Sequence, residues 1–128
     1  MTATPSDLAT GAFHGGTVAA QNDRFRTSWG TDPTLAGHIV ATQGVAALGL
    51  GAGLRLMRAV QTFTAFTEDN DPFGLHDFGA VEIEADGRSV KVYWKIDLYD
   101  EACRFGSEAP DDPSRTCRVL TLLLPSEW

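Results

Sequence analysis

Basic side chains are in short supply. Ten Lys and Arg stand against 17 Asp and Glu, a formal charge of −7 over 128 residues. Duplex nucleic acid is gripped by clustered cations that displace counterions, so this balance argues against direct nucleic-acid binding. It argues equally against attachment to an anionic membrane surface. Cysteine is scarce as well. Cys103 and Cys117 are the only two, and no second Cys or His pair accompanies them at a zinc spacing, so no metal is expected. Residues 1–12 lack the basic n-region and apolar h-region of a secretory signal. The expectation is therefore a soluble, cytoplasmic protein with both thiols reduced. Long apolar runs are missing too. The richest, from Val45 to Met57, is too short to span a bilayer and contains Arg55.

What is present suits one domain. The apolar fraction of 43% is ordinary for a globular chain of this length. Residues 1–16 are rich in Thr, Ala, Gly and Ser and read as a flexible leader, with a single domain over 17–128. Thr17 can cap a helix running to about Trp29, with Val18, Asn22, Phe25 and Trp29 along one face and Asp23, Arg24 and Arg26 on others. His38–Thr42 is a β-branched strand candidate. Val45–Phe63 reads as a helix weakened early by Gly49, Gly51 and Gly53, with Leu54, Met57 and Val60 at helical spacing.

The clearest element is a hairpin. Asp77–Glu84 and Ser89–Asp97 alternate apolar and polar residues around Asp86-Gly87, a pair that tolerates the positive φ of a tight turn. Cys117–Leu124 is a third meander strand. The order implies an α+β fold: an antiparallel sheet of three to four strands with two helices packed on one face.

Three segments together carry a resemblance. They are Asn22-Asp23-Arg24-Phe25-Arg26, the run from Phe63 to Gly79 containing Asp69-Asn70-Asp71-Pro72-Phe73-Gly74-Leu75-His76-Asp77-Phe78, and Trp94-Lys95-Ile96-Asp97-Leu98-Tyr99-Asp100. Arg118-Val119-Leu120-Thr121 follows at the matching distance. The chain resembles, over roughly residues 18–128, the bacterial domain-of-unknown-function family number 3768. That resemblance implies accessory biology on plasmids and other mobile regions. It carries over no catalytic residue. The family usually has an acid where this chain has Leu75, which weakens any scheme needing a carboxylate there.

Several constellations bear on chemistry. Asp69–Gly74 starts like a calcium loop, but the fifth and twelfth positions are Phe73 and Ala80, so a turn rich in side-chain caps is expected instead. Gly49, Gly51 and Gly53 lack the preceding strand and the Lys of a phosphate loop, and no cofactor is expected. His76 and Asp77 enter the first hairpin strand, while Asp97 and Asp100 end its partner, so these four are the candidates for acid/base work. The competing reading is a His bonded to neighbouring carboxylates that fastens a long loop.

Charge is the broadest signal. Residues 68–77 hold four acids and no base, and residues 100–112 hold five acids and one Arg. If both loops share one end of the sheet, they form a concentrated negative patch. Glu68, Asp69, Asp71, Phe73, Tyr99, Asp111 and Asp112 are the residues expected to meet a protein partner with a basic surface. The expected function is a non-enzymatic acidic interaction protein, an inhibitor of the anti-defence type such as an anti-CRISPR. The alternative is a small metal-assisted or acid/base hydrolase built on His76. The sequence also allows a homodimer.

Overall fold

A computed structural model describes residues 15–128. The expected leader lies outside these residues except for Gly15 and Gly16, which already open the first helix. Helix α1 spans Gly15–Thr27, strand β1 Gly37–Ala41, the short helix α2 Gln43–Ala46 and helix α3 Leu50–Gln61. Strands β2 (Phe78–Ala85), β3 (Arg88–Tyr99) and β4 (Cys117–Leu123) follow, with 3₁₀ turns at Pro113–Arg115 and Pro125–Glu127. The class is α+β, as the alternation of helical and strand patterns implies.

The sheet runs β1-β4-β3-β2. The last three strands form the expected antiparallel meander, with Val81 opposite Val92 and Ile96 opposite Leu120. Strand β1 corrects the all-antiparallel expectation, because it joins β4 in parallel, with Ile39 beside Leu120. Parallel neighbours need a crossover. Here α2, α3 and the β2–β3 hairpin together supply it. Local alternation could identify β1 as a strand but carries no information on its direction.

Directly opposed residues share a face of the sheet. One face carries Ile39, Val92, Trp94, Ile96, Leu120 and Leu122, and it packs with Phe25 of α1 and Leu56 and Val60 of α3. Gly79 lies opposite Trp94, and a Cβ there would strike the indole and come within 2.9 Å of Phe63. The other face carries His38, Cys117, Val119, Tyr93 and Phe78. No helix covers it. Trp128 lies against Phe78 and Tyr93, with ring centroids 5.6 and 5.8 Å away.

The helical stretch from 45 to 63 breaks in two. Gly49 adopts φ +95°, a conformation that separates α2 from α3. The buried stripe of α3 is Ala52, Leu56 and Val60, whereas Leu54 is exposed, correcting the stripe through Leu54 and Met57. Both stripes are apolar at helical spacing, so pattern alone does not separate them. Arg55 donates from Nε and one terminal nitrogen to the Glu84 carbonyl at 3.0 and 2.8 Å, tying α3 to the end of β2.

Candidate functional site

Both acidic loops leave the same end of the sheet. Phe78 at the start of β2 lies opposite Lys95, and β3 then runs only to Tyr99 before the second loop begins. Adjacent residues of α1 reach both loops. Gln21 donates to the Asp111 carbonyl at 3.0 Å, and Asn22 donates to the Leu75 carbonyl at 2.9 Å.

The first loop, residues 62–77, is fastened by its own polar side chains. Asn70 accepts from the Thr67 amide at 2.8 Å and donates to the Ala65 carbonyl at 3.0 Å. Asp71 is buried, and its carboxylate accepts from the Leu75 amide at 2.9 Å and the His76 amide at 3.1 Å. This is the expected capped turn. It also corrects the assignment of Asp71 to a partner surface, because the carboxylate is spent inside the loop. Those two bonds hold His76 at φ +55°, a left-handed conformation uncommon outside glycine.

His76 is the centre of a knot. Its Nδ1 lies 3.0 Å from both oxygens of Asp23, and its Nε2 lies 3.8 Å from Asp71. The imidazole stacks on Phe66, with 4.0 Å between centroids and 1° between planes. Asp23 also accepts from Arg26 at 2.9 Å. Arg26 is only 3% exposed. It donates to the carbonyls of Val60, Gln61 and Phe63 at 2.8, 3.2 and 3.1 Å, at and just beyond the end of α3, where helix carbonyls run short of intrahelical donors. Its guanidinium lies 5.2 Å from the Trp94 ring. Asn22 accepts from Arg118 at 2.8 Å, as does Gln21. Burial pulls the Arg118 pKa down to about 10, and Arg24 adds to this.

The four acid/base candidates divide. Asp77 is close enough to feel Asp71, Asp97 and His76. Burial pushes its carboxyl above the ordinary range, the negative charge of Asp71 pushes it further and that of Asp97 adds a smaller push, against a lowering by His76. Asp97 pairs with Lys95 at 2.7 Å. Asp100 belongs to the other loop. Its carboxylate accepts the amides of Arg104 and Phe105 at 3.0 and 3.4 Å, which hold it below the usual range. Asp23, Arg26 and Phe66 were missing from the expected site. Their signal was the spacing of Asp23 and Arg26, three apart on one helix face, but nothing local ties either to residue 76.

In the second loop Tyr99 bridges Gly106, and Ser107 donates its amide to the Leu98 carbonyl at 3.1 Å. Asp112 caps the 3₁₀ turn by accepting from Ser114. A recess of about 350 Å³ opens here, lined by Asp100, Glu101, Phe105, Glu108 and Arg115 among others. Cys103 and Cys117 form a disulfide, with Cα atoms 5.5 Å apart. This corrects the expectation of two reduced thiols. The pairing of Tyr99 with Cys117 and the turn after Tyr99 bring the two sulfurs together, which their spacing in sequence does not reveal. Among the described residues no helix is long and apolar enough to cross a membrane.

No curated protein and no solved structure matches this chain. A family described as a protein of unknown function, DUF3768, matches over residues 41–127. Those residues include the His76 loop, the hairpin and β4, while Asn22, Asp23 and Arg26 precede the matched stretch. The match extends over more than half of the sequence, and the chain belongs to that family.

Proposed function

We propose that this protein is a non-enzymatic acidic module that binds a basic protein surface. The observation that carries this reading is the emergence of both acidic loops from one end of the sheet, each bonded to one of two adjacent residues of α1. More than half of the chain's acids lie in these loops. Glu68, Asp69, Glu101 and Glu108 are exposed, and so are Phe73 and Phe105, at 76% and 68%. Apolar rings among carboxylates suit the alkyl stem and cationic head of Lys or Arg. The recess is lined by Asp100, Glu101, Phe105, Glu108 and Arg115 among others, three acids against one base, and is of a size to accept such a side chain.

A basic groove built for nucleic acid has the complementary charge, so we take the partner to be a nucleic-acid-handling assembly of a bacterial host, blocked by occupation. An anti-defence inhibitor, including the anti-CRISPR type, fits this scheme, and we assign it to the cytoplasm, where such assemblies work and where the Cys103–Cys117 bridge meets a reducing thiol pool. The hydrolase alternative is weaker, because both ring nitrogens of His76 face carboxylates that are already committed to Arg26 or to the loop backbone.

The test is affinity capture from a bacterial host with the full chain and with a Glu68→Gln, Asp69→Asn, Glu101→Gln, Glu108→Gln variant. These four side chains are exposed, so the variant should fold as the wild type does. The wild type should retain nucleic-acid-binding proteins and release them as salt shortens the screening length below about 8 Å. The variant should retain none. Equal capture by both chains would overturn the reading.

A further inference from the structure

We propose that the Cys103–Cys117 pair, once reduced, forms with His38 a site for a soft divalent cation of the zinc class. The two sulfurs and a ring nitrogen of His38 all lie within 4.8 Å of one another. Thiolate and imidazole ligands around zinc, with bonds of about 2.3 and 2.0–2.1 Å, stand roughly 3.5–4 Å apart. Reduction must let the two sulfurs part from bonding distance to that spacing, whereas the His38 nitrogen has to close by no more than about 1 Å.

Each ligand is brought there by a different part of the fold. His38 lies on β1 opposite Val119, so it shares a face of the sheet with Cys117, two residues earlier on β4. Cys117 is buried at 3% exposure, which fixes one ligand in place. His38 is exposed. Cys103 comes from the turn after β3, at φ +56°.

That turn does not depend on the disulfide alone. Asp100 accepts two amides across it, the Cys103 amide donates to the Asp100 carbonyl at 2.8 Å, and the Ser107 and Thr116 hydroxyls lie 2.9 Å apart at its base. These bonds keep the two thiols near each other after the S–S bond is cut. Three protein ligands leave a fourth position for water. The zinc spacing is invisible in the sequence because two of the ligands are far from His38 along the chain and converge only through the parallel β1–β4 pairing.

A dithiol reductant gives two electrons and two protons to the S–S bond, leaving two thiols and becoming a disulfide itself. The cation then takes both sulfurs as thiolates and releases two protons.

The experiment uses the full chain and cobalt as a visible stand-in for zinc. A water-soluble phosphine replaces the dithiol, which would chelate the metal. The phosphine becomes its oxide with a water oxygen, and the two protons of that water go to the sulfurs. Reduced protein should take up one cobalt per chain with thiolate charge-transfer absorption, and zinc should bleach it. Oxidised protein should show neither. His38→Ala should weaken cobalt binding by more than the roughly tenfold that losing an outer partner of such a site costs. Circular dichroism follows the fold in parallel. If reduction unfolds the chain, zinc should restore the fold in the wild type and fail to do so in His38→Ala. Absence of thiolate bands and of zinc-driven refolding in the reduced wild type would overturn the proposal, and so would binding or refolding that ignores His38→Ala.

Discussion

At the scale of single residues, the strongest constraints are two positions where sequence gives little warning. Gly79 must have no side chain because Trp94 occupies that space. Gly79→Ala should cost about 1–3 kcal/mol of unfolding free energy, the usual range for overpacking a core, read by urea denaturation. Asp77 is the other. Its carboxyl holds a proton more tightly folded than unfolded, first through burial and then through Asp71 and Asp97. Stability therefore falls as pH rises from the unfolded carboxyl range through the raised folded value, and the cost is complete above it. Asp77→Asn should be more stable than the parent near neutrality, by under about 1 kcal/mol because solvent screens a partly exposed carboxyl. The gain should vanish below the ordinary carboxyl range. A pH series of unfolding midpoints reads both limbs, and a variant less stable at neutral pH would refute the assignment. The identity of Asp77 as a charged residue near His76 was legible in the sequence. Its unfavourable surroundings were not, since Asp71 and Asp97 reach it only through the folded loop and the β2–β3 register.

Elements are joined here by polar side chains as much as by the apolar core. The Asp23–His76 pair and the Arg26 cap bind α1, the end of α3 and the loop before β2 into one unit. Asp23→Ala removes an acceptor from both partners and leaves the buried Arg26 without its carboxylate. It should cost about 1–3 kcal/mol and speed amide exchange in residues 64–77 more than elsewhere. Uniform exchange across the chain would refute a local fastening role. The elements themselves were largely readable. Alternation and Asp86-Gly87 located the hairpin, and the face through Val18, Asn22 and Phe25 matches the buried side of α1. Helical spacing puts Arg26 off the apolar stripe, where a charged residue normally meets solvent. Only the carbonyls at the end of α3, a tertiary feature, reverse that. For the same reason the direction of β1 and the buried stripe of α3 stayed hidden.

Across the whole molecule, charge and covalent chemistry divide the labour. The acidic loops occupy one end, and the disulfide anchors the second loop to β4. Closing a loop of sequence separation 14 removes unfolded-state entropy worth roughly 3 kcal/mol. Reduction without metal, or Cys103→Ser, should lower stability by about that amount in a denaturant titration, and an unchanged midpoint would count against the cross-link. The surplus of acid was plain in the composition, and the shared location of the two loops followed from the hairpin. The cross-link did not follow, because two cysteines in isolation say nothing about what lies between them in space.

The parallel pairing of β1 with β4 also sets an order of events during synthesis. Ile39 finds its neighbour Leu120 only after the hairpin has been made and β4 has left the ribosome. Until then β1 is an open edge with unpaired amides and carbonyls beside an exposed Val40. The growing polypeptide therefore passes through a stage in which most of its helices and hairpin can form while its sheet lacks a centre. Such non-local closure favours slow folding and leaves an open strand edge exposed to aggregation until β4 arrives.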